Sequence, residues 1–105
     1  MIRHCVFVKF RDDVPRAERA AIYDDLRALR GRLDGMLEAS FGPNVSPEGL
    51  GQGFGDGFTI DFRDAATRDA YLEHEAHQRA GARLVAALEG GTDGLMVMDL
   101  EFTEM

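Results

Sequence analysis

Ile2-Arg3-His4-Cys5-Val6-Phe7-Val8-Lys9-Phe10 is the stretch whose reading decides the fold. It is β-branched and aromatic and has no glycine or proline, which is the pattern of a strand. Side chains alternate across a strand. Ile2, His4, Val6, Val8 and Phe10 therefore share one face, and Arg3, Cys5, Phe7 and Lys9 the other. Both faces carry apolar groups, so a sheet built on this strand needs cover on two sides.

Outward from that strand, the chain supplies cover for one side. Asp12-Asp13-Val14-Pro15 turns it, and Pro15 suits the first turn of a helix, where its missing N–H costs nothing. The spacing of Ile22, Leu26, Leu29 and Leu33 predicts a helix over residues 16–33, ended by Gly35. Met36 to Phe41 reads as a short second strand near a sheet edge. Phe58, Ile60 and Phe62 alternate as a third strand. Asp64 is a good N-cap for a second helix from Ala65, with Gly81 as an interruption before Leu84, Val85 and Leu88. Gly90-Gly91 stops it. Leu95 to Phe102 is the last strand, with Met96, Met98, Leu100 and Phe102 on one face and Leu95, Val97, Asp99 and Glu101 on the other.

The order β-α-β-β-α-β is that of a ferredoxin-like α+β fold: one domain over residues 1–105, a four-stranded antiparallel sheet with helices on one face. Cys5, Phe7 and the Met96-Met98-Leu100-Phe102 row would leave the other face apolar, more than a monomer exposes. Pairing two such faces about a twofold axis buries them. The expectation is a homodimer through the open sheet face, the two sheets closing into a dimeric α/β barrel.

Composition narrows the function. Nineteen acids against twelve bases give a net charge of −7, against binding of nucleic acid or an anionic membrane surface. No apolar run is long enough to span a membrane. The single Cys5 allows no internal disulfide and reads as inert packing; with no secretory leader in the opening residues, a cytoplasmic protein is expected. Residues 42–57 hold six glycines and two prolines without the lysine of a phosphate loop or the glycine spacing of a dinucleotide fingerprint. A long connection of this kind is a candidate lid.

The chemistry-bearing stretch is Asp69-Ala70-Tyr71-Leu72-Glu73-His74-Glu75-Ala76-His77. In one continuous helix Tyr71, His74 and His77 are spaced by three and share a side. A histidine exchanges a proton near neutral pH, and a phenol donates a hydrogen bond to a developing oxyanion. His4 and Asp99 should point toward the same helix-covered space, with His77 as the expected partner of Asp99. Between sheet and helices a small hydrophobic or aromatic ligand would be lined by Val6, Val8, Ile22, Leu26, Phe58, Ile60, Leu95 and Val97, with His74 beside it. The plainer alternatives are a polar network that only specifies the core, and a protein whose function is its assembly. A metal shared by His74 and His77 finds no third ligand at a recognisable spacing, so neither metal nor cofactor is expected.

The opening strand, Gly57-Phe58-Thr59-Ile60-Asp61-Phe62, and Asp69-Ala70-Tyr71-Leu72 followed by His74 and His77 resemble the stress-responsive dimeric α/β-barrel (Dabb) family over nearly the whole chain. The resemblance implies the same barrel dimer. A plant polyketide cyclase of that family performs an intramolecular aldol condensation, and its catalytic tyrosine and histidine match Tyr71 and His77, with His4 and Asp99 also matched. By that likeness His77 would be a general base, Tyr71 would bind the carbonyl oxygen and Asp99 would orient His77, as in a cyclase, lyase or isomerase. The chain departs from it at Asp56 and Leu26, where the cyclase has a histidine and a tyrosine. It also has Glu75 where the family usually places proline. Most of the family has no assigned reaction, so a non-catalytic stress-response role fits equally.

Overall fold

Seven residues, Ile2–Val8, form β1 and hydrogen-bond to a neighbour on each side. The computed structural model describes residues 1–103. After β1 come helix α1 (Arg16–Arg27), β2 (Met36–Pro43), β3 (Asp56–Phe62), α2 (Ala65–Glu73), α3 (Glu75–Ala86) and β4 (Leu95–Glu101). The strands pair antiparallel in the order β2-β3-β1-β4, the ferredoxin-like arrangement, with β2 at an edge as its short apolar pattern suggests.

Register decides which side chains meet. His4 stands opposite Ile60 on β3 and Asp99 on β4, and Val6 opposite Phe58 and Val97. Ile2, His4, Val6, Val8, Phe58, Ile60 and Phe62 are buried beneath the helices, where Ile22, Leu26, Leu29, Ala80 and Leu84 meet them. The opposite face carries the rows Leu100–Arg3–Asp61–Glu38, Met98–Cys5–Thr59–Ser40 and Met96–Phe7–Gly57–Gly42. Met98 is 51% and Leu100 57% exposed there.

Several boundaries differ from the sequence reading. α1 stops at Arg27 and tightens into a 3-10 turn, Ala28–Gly31, which keeps Leu29 buried but leaves Leu33 only partly so. Gly35 opens β2 rather than ending the helix. Its φ of +92° and the Thr67 side chain, 2.7 Å from where a Cβ would stand, both require glycine. β2 runs on to Pro43, with a bulge that inserts Leu37.

The largest difference lies in the second helix, which is two. At His74 the backbone turns to an extended ψ of 134° and ends α2; the His74 Nδ1 then accepts from the Ala76 N–H, 3.0 Å away, and caps α3. The break falls here and not at Gly81, which sits within α3. Glu75, where the resemblance places proline, is the first residue of α3. That position suits proline because its N–H has no partner, and suits a carboxylate because of the helix dipole.

Candidate functional site

Tyr71 has no exposed surface, and three rings surround it. The His77 ring centroid is 4.3 Å away, Phe62 5.1 Å and His4 5.9 Å. α2 positions Tyr71 because Asp64 caps its N-terminus, accepting from both the N–H and the hydroxyl of Thr67. His77 comes from the first turn of α3, which starts anew after the His74 cap. His4 comes from the centre of β1.

Asp99 does not reach His77 as expected. His4 Nδ1 donates to Asp99 Oδ1 at 2.7 Å, and Arg68 Nη1 donates to Asp99 Oδ2 at 2.8 Å. The strand register explains the change: Asp99 and His4 are directly opposite, so the carboxylate is taken by its cross-strand neighbour. Burial alone would raise the Asp99 carboxyl, but the His4 and Arg68 hydrogen bonds outweigh it and hold the group below its ordinary value. Arg68 was missed in the sequence, although it lies three residues before Tyr71 and so on the same side of α2.

The two groups left over are the informative ones. Tyr71 Oη and His77 Nδ1 are buried and have no hydrogen-bond partner among the described residues. Burial drives the Tyr71 phenol upward, so it keeps its proton. Burial also pushes His77 below its ordinary value, helped by His4 and His74 and opposed by the Leu72 carbonyl. A buried polar atom without a partner costs about 1–3 kcal/mol. Two side by side call for an explanation. A third orphan, the Tyr23 hydroxyl, lies on α1 among Phe10, Phe41 and Phe58 and is pushed up to about 12 by burial and then by Asp56.

The other expected residues are placed less uniformly. Val6, Val8, Ile22, Leu26, Phe58 and Ile60 are packed core, closed over in the free chain. Leu95 is partly buried, while Val97 is 49% exposed on the helix side of the edge strand. His74 is a helix cap, with its Nδ1 committed to a backbone amide. Among the described residues no group of three His, Cys, Asp or Glu side chains is arranged to hold a metal. The glycine-rich segment lies away from Tyr71, over the open sheet face, where it roofs a cavity of about 650 Å³ floored by Phe7 and Met96.

The depressed His77 value gives a pH dependence of known sign. The unfolded imidazole takes a proton near its ordinary value of about 6.5, before the folded one does, so acidification favours the unfolded chain. Urea unfolding of wild type should lose stability as the pH falls below about 6.5 and level off beneath the folded value. His77→Gln should lack that loss.

Comparison with known proteins places the fold and the chain. A dimeric ferredoxin-like protein of unknown function from Jannaschia sp. CCS1 is 35% identical, with 96% of this chain and 98% of that one covered and a TM-score of 0.90. The hydroxynitrile lyase from Passiflora edulis is 19% identical over 99% of this chain and 94% of its own, with a TM-score of 0.84. A Dabb family protein with a ferredoxin-like fold from Mesorhizobium loti is 20% identical over 98% and 97%, at 0.73. No curated protein matches. The family described as the Stress Responsive A/B Barrel Domain matches residues 2–102. With that match spanning nearly all its length, the chain belongs to the stress-responsive A/B barrel domain family.

Proposed function

We propose that the chain acts as a homodimer that holds a small hydrophobic or aromatic carbonyl compound against Tyr71 and His77 and performs acid/base chemistry on it, of the cyclase or lyase type. The observation that carries this reading is that two rings packed with centroids 4.3 Å apart each carry a buried polar atom, Tyr71 Oη and His77 Nδ1, without a partner among the described residues. A bound carbonyl oxygen would accept from the Tyr71 hydroxyl and remove one orphan. The depressed His77 is the free base at neutral pH, the form that takes a proton from a carbon beside the carbonyl. The proton passes to the imidazole, and the electron pair moves to the oxygen as an enolate, to which Tyr71 donates. His4, fixed by Asp99 and Arg68, holds the Tyr71 ring from the side and is a positioning residue. The lyase from Passiflora edulis, on the same fold, supports the reaction class by analogy.

The aliphatic residues around this site are closed in the free chain, so a ligand enters by parting α2 from the sheet. The weak side is β4, where Val97 is half exposed and Asp99 marks the edge. The dimer uses the other face. Met96, Met98 and Leu100 form an exposed apolar row beside Phe7 and Cys5, and a relative at 35% identity is described as dimeric.

Two measurements test these statements. A thermal-shift screen against aromatic aldehydes, β-diketones and cyanohydrins should find a compound that stabilises wild type. At about 100 times its dissociation constant the gain is roughly 2.7 kcal/mol, a rise of several degrees. His77→Gln should fold and lose the response. A screen with no hit, or a hit indifferent to His77→Gln, favours assembly alone as the function. Light scattering at micromolar concentration should return twice the chain mass, and Met98→Lys should return a folded monomer. A wild-type monomer would contradict the dimer.

A further inference from the structure

We infer a second ligand site, on the outer side of the helical layer, fitted to an anionic amphiphile. Between the C-terminal part of α1 with its 3-10 extension and α3 lies a groove of about 370 Å³. That is within the range of small-molecule sites and more than a bare ion needs. Leu29 and Ala80, both buried, form its apolar floor together with Ala28 and Ala76. One end is closed by Arg83, which donates to Asp25 at 2.9 Å and to both oxygens of Glu18. At the rim stand Arg32 and Arg79. Neither has a carboxylate or carbonyl partner among the described residues.

Four arginines, Arg16, Arg30, Arg32 and Arg79, face no carboxylate or carbonyl among the described residues, and of these Arg32 and Arg79 line the groove. The chain carries −7 overall, and Arg3, Arg11, Arg27, Arg63, Arg68 and Arg83 each face a carboxylate. Two guanidiniums left over one concave surface focus a positive potential there. Their forked donors match the oxygens of a carboxylate or a phosphate. The apolar floor adds contact for a short hydrocarbon body, which selects an organic acid or a phosphate monoester over the inorganic ion. None of the residues of the Tyr71–His77 site lines the groove, so this inference stands apart from the reading of that site.

The test is a titration of ¹⁵N-labelled wild type with octanoate, octyl phosphate, octanol and inorganic phosphate, followed by amide shifts. Octanoate or octyl phosphate should give saturable shifts centred on residues 28–32 and 76–83, and the stronger of the two identifies the head group. Octanol and inorganic phosphate should each bind at least about tenfold more weakly, since each lacks one half of the contact. Arg32→Ala with Arg79→Ala should weaken the better ligand by about tenfold or more, whereas Arg16→Ala with Arg30→Ala should not. All four positions are exposed, so the fold survives either pair. The inference is overturned by no saturable shift with either amphiphile, by equal binding of octanol or inorganic phosphate, or by binding that survives loss of Arg32 and Arg79.

Discussion

A slip of one residue in the pairing of β1 would turn His4, Val6 and Val8 out of the core and put Arg3, Cys5 and Phe7 under the helices. The rest of the molecule depends on that register being held from both sides, by β3 and by β4. It sets His4 beside Asp99, and so joins the first strand to the last through a 2.7 Å hydrogen bond. It also puts Met96, Met98 and Leu100 of β4 on the face opposite the helices. The proposed site and the proposed assembly surface are thus two consequences of one alignment.

On the helix side, the proposed site rests on polar groups that the core does not match. A core built only for stability satisfies its polar groups or omits them. Asp99 conforms, with one oxygen bound by His4 and the other by Arg68. Tyr71 and His77 do not, although phenylalanine would fill the Tyr71 space without leaving a hydroxyl unmatched. Retaining an unmatched polar atom on each of two packed rings is a cost that a bound ligand would offset. The break at His74 separates the helix that carries Tyr71 from the one that carries His77, and the two rings still pack with centroids 4.3 Å apart.

The strands were legible because alternation over Ile2–Val8, Phe58–Phe62 and Leu95–Glu101 is strict, and the open apolar face followed from it. The ring cluster of His4, Tyr71 and His77 was legible too, though for a reason that does not hold. Helical spacing of three assumes one helix, and the chain has two. Nothing in Glu73-His74-Glu75 breaks a helix by propensity; the break comes from a side-chain cap and from tertiary packing, which a single-sequence pattern does not register. The partner of Asp99 was misjudged because cross-strand register outranks proximity of type: the opposite residue on β1 claims the carboxylate first. The expected pocket lining is packed core at Val6, Val8, Ile22, Leu26, Phe58 and Ile60 and half exposed at Val97, because volume in a core depends on how side chains interlock, which a sequence pattern does not register.

The most direct measurement of whether Tyr71 and His77 form a site is the unfolding free energy of Tyr71→Phe. If the hydroxyl is kept for a ligand, removing it relieves an unmatched buried group, and the variant should be as stable as wild type or more stable by about 1 kcal/mol or somewhat above. If the hydroxyl instead belongs to a core network, Tyr71→Phe should lose stability by a similar amount, and the case for a site at Tyr71 and His77 would be contradicted.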